Sequence, residues 1–265
     1  MTRKLPTVAD LRAAKGKRQM TMLRYFSLDE AAAAEAAGID IASVPPELVT
    51  HPRYREVAPT VFSMTGKTHL EYGSVEEYLR YSGEMLESGA DALYCSGSKQ
   101  TVERLAREYI PIVGHVGIVP ARATWTGGFR AVGRDAETAI ALFVECRAYQ
   151  NAGAIAVEIE VVPEEVATAI SQRLDILLWS MGSGPGCDAQ YLFAEDILGE
   201  GKTRVPRHAK IYRDFAAEYA RLQAERIAAF REYVDDVGSA TFPEERHLVR
   251  MRDGEFDKFM DGIGG

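Results

Sequence analysis

Gly153-Ala-Ile-Ala-Val-Glu-Ile-Glu-Val-Val-Pro163 is the stretch on which the fold turns. Residues 137–152 ahead of it read as a helix, and glycine is at ease in the left-handed conformation that closes one. Residues 155–160 then form an apolar run of strand length, too short for a helix. The same junction recurs at Gly89-Ala-Asp91, ahead of a second such run at 92–96. Helices that end on glycine and pass straight into buried strands are the joins of a parallel sheet, whose strands need crossover connections.

Outward from there, strands are predicted at 20–25, 39–44, 60–64, 110–116 and 175–181. Pro45-Pro46 stops the second of them, because proline lacks the ladder donor. Helices are predicted at 28–37, 100–109, 163–173 and 188–198, and from the capping box Ser74-Val-Glu-Glu77 to Gly89. This alternation predicts an α/β fold. A closed (β/α)8 TIM barrel fits better than an open sheet, because no glycine fingerprint follows the first strand. A chain of 265 residues suits one such barrel, so residues 1–265 are read as a single domain. From about residue 207 a charged helix to 233 and a segment at 244–260 predict a C-terminal helical extension.

Thirty-one basic against thirty-nine acidic residues leave a formal charge of −8, which argues against a general nucleic-acid binder. The apolar runs fall far short of the roughly 20 residues that span a bilayer, and the first twenty residues lack the apolar core of a secretory signal. Cys95, Cys146 and Cys187 show no CxxC spacing. A cytoplasmic enzyme with no nucleic-acid or membrane partner is expected.

Six segments occur in order: Ile110-Pro-Ile-Val-Gly-His-Val-Gly-Ile-Val-Pro120; Gly127-Gly-Phe-Arg-Ala-Val-Gly-Arg134; Ala154 to Pro163; Ser180-Met-Gly-Ser-Gly184 with Asp188 and Gln190; Val205-Pro206 with Ala209-Lys210; and Phe242-Pro-Glu-Glu-Arg-His247. Together they resemble the ketopantoate hydroxymethyltransferase family of pantothenate biosynthesis. The resemblance implies a barrel of the phosphoenolpyruvate/pyruvate-binding kind, a homo-oligomer larger than a dimer, and one-carbon transfer from methylenetetrahydrofolate to C3 of a small 2-oxo acid held on Mg²⁺. It also implies that Glu160 handles the C3 proton and that His115 donates to the bound acid.

The chain departs from the family where the metal and substrate ligands would stand. Pro46 and Gly66 take the places of two metal-ligating aspartates, which makes Mg²⁺ doubtful; Glu47 takes that of a serine. Tyr94 and Ser96 take those of a lysine and a glutamate. Substrate contacts are therefore expected from Glu47, Tyr94 and Ser96, and from Gly182, Ser183 and Gly184, whose amides could cradle an anion ahead of a helix start at Asp188. Should a metal be held, Glu47, His69 and Glu71 are the available ligands on the loops after the second and third strands.

On the residues alone, Glu160 ends an apolar strand, where a barrel presents its side chain to the active-site mouth. A partly desolvated carboxylate there suits general-base work, whereas Glu158 on the same face reads as an ion-pair partner. The expected function is the making or breaking of a C–C bond at C3 of a 2-oxo acid with a one-carbon unit. A metal-independent lyase or aldolase on another 2-oxo acid, and a non-catalytic carboxylate-binding barrel, are the alternatives.

Overall fold

The computed structural model describes residues 3–67, 71–200 and 205–264. Eight parallel strands close into a barrel in sequence order: β1 (Met20–Arg24), β2 (Ile41–Val44), β3 (Phe62–Thr65), β4 (Ala92–Tyr94), β5 (Ile112–Gly117), β6 (Ala156–Glu160), β7 (Leu177–Met181) and β8 (Ala189–Phe193). β1 pairs with β2 on one side and with β8 on the other, from Met20 opposite Ala189 to Arg24 opposite Phe193. That seam leaves no free edge. The (β/α)8 barrel expected from the sequence is the fold observed.

The eighth strand corrects the sequence reading, which makes residues 188–198 one helix. Ala189-Gln-Tyr-Leu-Phe193 is instead a strand, and the helix begins only at Ala194 (Ala194–Leu198). Asp188, taken as a helix start, accepts the Leu178 amide at 2.8 Å and pairs with Lys15 at 2.8 Å. Its carboxylate ties the start of β8 to β7. A polar residue before an apolar pentad does not by itself separate helix from strand; the paired edge of β7 decides it.

Helices are started by side chains that accept an orphan amide three residues on: Ser27 before Leu28–Ala37, Ser74 before Val75–Glu87, Ser98 before Lys99–Ala106 and Asp135 before Ala136–Asn151. At Ser74 only half of the expected capping box forms, because the Glu77 carboxylate takes the Gly73 amide at 2.6 Å.

The apolar residues divide into two shells. One lies between strands and helices, from Tyr25 and Leu48 to Ile176 and Leu178. The other fills the barrel: Met20 and Met22, Ile41, Phe62 and Met64, Ala92, Val113, Ala156, Leu177 and Trp179, and Ala189. Leu11, on the helix Val8–Ala14, belongs to this interior group, so that helix closes the amino-terminal end. With a side-chain period of two, the next interior positions toward the carboxyl-terminal end carry polar groups on β1, β2, β4, β5 and β6: Arg24, Ser43, Tyr94, His115, and Glu158 with Glu160.

The chain divides into two compact units, Met1–Arg213 and Asp214–Gly265. In the second unit, Asp214 caps the helix Phe215–Gly238, and a further helix runs from Glu255 to Gly262. The Phe242 ring packs edge-on to Tyr233, with centroids 5.7 Å apart. Among the described residues, no helix is long and apolar enough to cross a membrane.

Candidate active site

The carboxyl-terminal mouth of the barrel holds a cavity of about 360 Å³. Its charged and polar side chains come from the carboxyl-terminal parts of the strands and the turns after them: Arg24, Ser43, Thr65, Lys67, Tyr94, His115, Glu158, Glu160 and Tyr191. Side chains i and i+2 share a face, so β6 delivers both Glu158 and Glu160 to this space.

His115 is the centre of the cluster. The Tyr94 hydroxyl lies 2.9 Å from its Nδ1, and Glu158 Oε2 lies 3.7 Å from the same nitrogen. Glu160 Oε2 stands 3.1 Å from Nε2, within ion-pair reach but off the line a hydrogen bond needs. Two buried polar atoms at the cavity are thus left without hydrogen-bond partners, His115 Nε2 and Glu158 Oε1. An unpaired buried polar group costs on the order of 1–3 kcal/mol, and folds keep such groups where a ligand will meet them.

Burial dominates the electrostatics. It pushes the Glu158 carboxyl up to about 7, with the His115 charge opposing the rise and the Glu160 charge adding to it. Burial likewise raises the Tyr94 and Tyr191 hydroxyls, with Glu158 adding to both, so the two phenols are donors at neutral pH.

Backbone geometry fixes Glu160. Gly117 is its register partner on β5 and has φ +83°, and a Cβ there would collide with the Glu160 carbonyl oxygen. The Ile118 amide donates to that oxygen at 3.0 Å. The next residue, Val161, has φ +52°, a left-handed conformation that strains a β-branched residue. The strained turn lies at the strand end that carries Glu160.

Glu160, His115 and Tyr94 of the expected site are brought together. Ser96 stands behind Tyr94: it is buried outside the cavity lining, its side chain hydrogen-bonds the Tyr94 hydroxyl, and its carbonyl accepts from Arg122 at 2.8 Å. The others are not brought there. Glu47 lies on the short helix Pro46–Val49 and does not line the cavity. Ser183 spends its hydroxyl inside the protein, donating to the Ile159 carbonyl at 2.9 Å and accepting the Val162 amide at 3.0 Å. Gly182 and Gly184 leave room for His208 and Glu164, and the turn leads into β8, so no helix N-terminus stands behind it. Glu71 is exposed and outside the cavity lining, and His69 lies outside the described residues. Arg24, Ser43, Thr65, Lys67 and Tyr191 are the polar cavity residues that sequence reasoning missed. Arg24 could have been found from its period-two position after Met20 and Met22. Tyr191 was hidden by the reading of β8 as helix.

The family model of ketopantoate hydroxymethyltransferase matches residues 58–245. The chain belongs to the ketopantoate hydroxymethyltransferase family. It is 34% identical to the 3-methyl-2-oxobutanoate hydroxymethyltransferase of Halalkalibacterium halodurans over 77% of this chain and 73% of that one. With the enzyme of that name from Nitratidesulfovibrio vulgaris it shares 32% identity over 97% of this chain and 89% of the other. Among solved structures, 2,3-dimethylmalate lyase aligns with TM-score 0.51 at 15% identity, covering 98% of this chain and 100% of that one. Phosphonopyruvate hydrolase in complex with oxalate and Mg²⁺ aligns with TM-score 0.52 at 13% identity, covering 97% and 98%. These likenesses show the shared barrel.

For a hydroxymethyltransferase-family barrel, the donor set here does not fit a divalent metal. Hard cations take several anionic or neutral oxygens. At this mouth Pro46 and Gly66 supply no side-chain oxygen, burial favours a protonated Glu158, and Arg24 and Lys67 bring positive charge to the lining. Among the described residues no three His, Cys, Asp or Glu side chains converge as a metal site.

Proposed function

We propose that this enzyme moves the C3 proton of a short 2-oxo acid and makes or breaks the bond between that carbon and a one-carbon unit, with methylenetetrahydrofolate as the family's donor. The observation that carries the reading is the pairing of Glu160 with His115, 3.1 Å apart, at the polar mouth of a barrel of this family. The Glu160 carboxylate accepts the C3 proton. Negative charge then gathers on the ketone oxygen, and preorganised donors must meet it there. The candidates are the Tyr94 hydroxyl, His115 and the Glu158 carboxyl. The resulting carbanion attacks the methylene carbon of the donor; that carbon gives up both its bonds to folate nitrogens, one for the new C–C bond and one for a C–O bond to water, and tetrahydrofolate leaves with the two protons released by C3 and by the water. In the reverse direction Glu160 returns the proton to C3. A site that works with its own donors also favours the metal-independent lyase or aldolase form of the same chemistry.

The reading extends to a cytoplasmic protein, supported by three buried, unbridged cysteines, and to a homo-oligomer larger than a dimer, supported by the exposed Ile227, Phe230 and Val234 on the C-terminal helix. Light scattering tests the assembly; a single 29.2 kDa species at micromolar concentration opposes it. The chemistry is tested by incubating the protein with 2-oxoisovalerate and other short 2-oxo acids in D₂O and following the C3–H signal by NMR. Exchange is expected, and Glu160→Gln should slow it by about 10²–10⁴. Exchange at an unchanged rate in that variant removes Glu160 from the mechanism.

A further inference from the structure

Five of the half-buried lysines and arginines pair with carboxylates: Lys15 with Asp188 at 2.8 Å, Arg55 with Asp91 at 2.6 Å, Lys99 and Arg122 with Glu145 at 3.0 and 2.9 Å, and Arg3 with Asp40 at 4.0 Å. Among the described residues, Arg24 and Lys67 are the half-buried cations that have no such partner, and both line the cavity. Withdrawing a charge from water without a counter-ion is costly, so two unpaired cations at one cavity mark a place for an anion.

Arg24 is the better held of the two. Its Nη1 donates to Ser43 Oγ at 2.8 Å, and its guanidinium carbon lies 5.3 Å from the centre of the Phe26 ring and 5.8 Å from that of Phe193. The bond to Ser43, a side-chain hydrogen bond with Tyr191 and two aromatic rings fix the plane of the fork, and its five N–H donors leave some for a ligand. The same cavity is lined by the buried Glu158, whose Oε1 has no hydrogen-bond partner.

We propose that Arg24 seats the carboxylate of the 2-oxo acid and that Glu158 Oε1 meets its ketone oxygen, so that side chains of β1 and β6 hold the substrate without a chelated metal. This assignment rests on the reading of the ligand as a 2-oxo acid. A guanidinium presents two parallel donors to a carboxylate, which orients the acid as well as attracting it. The Glu158 carboxyl keeps its proton toward neutral pH and so can donate to the ketone. Held at both ends, the acid turns its C3 toward the remaining carboxylate, Glu160.

The test is calorimetric titration of the EDTA-treated protein with 2-oxoisovalerate and with oxalate. The wild type is compared with Arg24→Gln, Arg24→Lys, Glu158→Leu and Glu160→Gln, each verified as folded by circular dichroism. Binding is expected in EDTA and should be unaltered by added Mg²⁺. It should weaken about tenfold to a hundredfold in Arg24→Gln, less in Arg24→Lys and several-fold in Glu158→Leu, and persist in Glu160→Gln. Binding that requires Mg²⁺, binding unchanged in both Arg24 variants, or no binding of either acid by the wild type overturns the assignment. Arg24-dependent binding without C3 exchange would sink the proposed chemistry and leave the seat standing. Exchange with Arg24-independent binding would do the reverse.

Discussion

Glu158 and Glu160 stand two residues apart on one strand, both turned into the barrel, and approach the two ring nitrogens of the single imidazole of His115. One carboxyl is buried and the other half-buried, so a shared strand provides two acids of different character. That difference suits one to hold a proton and the other to take one.

The first consequence is a pH-dependent stability that belongs to Glu158. Its folded value is about 7 against an ordinary 4.5, so the native state binds the proton more tightly than the unfolded chain. The stabilisation is complete below the unfolded value and is lost as pH rises through about 7. Glu158→Gln should remove this slope. Denaturant unfolding from pH 4.5 to 8 should show the wild type losing on the order of 3 kcal/mol relative to the glutamine variant. Parallel profiles would contradict it.

Tyr94→Phe should lower kcat for C3 exchange roughly three- to tenfold while the fold is retained. The change removes one hydroxyl that lies 2.9 Å from His115 Nδ1, and a single hydrogen bond contributes about 0.5–1.5 kcal/mol. Steady-state exchange kinetics together with a melting curve read both quantities. An unchanged kcat would show that the imidazole is held without the phenol.

Gly117→Ala should be costly at a distance from any ligand. The substitution places a Cβ against the Glu160 carbonyl at a backbone position with φ +83°. A loss of at least about 2 kcal/mol is expected, with exchange activity falling further than unfolding alone explains. Thermal denaturation and activity measured well below the melting temperature separate the two effects.

Asp91→Asn provides a control away from the mouth. Asp91 accepts the Ser63 amide at 2.7 Å and pairs with Arg55 at 2.6 Å. The variant should lose about 2 kcal/mol, discounted for the partial exposure of the pair, and keep its C3 exchange rate per folded molecule. A selective loss of exchange would mean that this pair supports the site.

Much of the barrel was legible because its strands are apolar on both faces and its helices start on serine or aspartate and often meet glycine at their ends. Seven of the eight strands follow from those signals. β8 did not, because its five residues are ambiguous until β1 and β7 pair with them. Glu160 was expected from the resemblance and its strand-end position, and His115 from the resemblance and its place in a strand between glycines. Arg24, Ser43 and Tyr191 were not, since nothing local distinguishes them; they become a group only when closure brings β1, β2 and β8 side by side. The expected turn at 182–184 failed for a related reason, as its amides were assigned to a helix that the pairing of β8 displaces.

The arginine at the end of the first strand packs beside two aromatic rings, one of which stands at the end of the last. No segment short of that last strand contains the whole seat, so a growing chain acquires it only when its first and last strands zip together, the slow, non-local step of making such a fold. A bound acid would then act as a clasp. Amide exchange should slow first along residues 20–24 and 189–193, ahead of the helices outside the barrel.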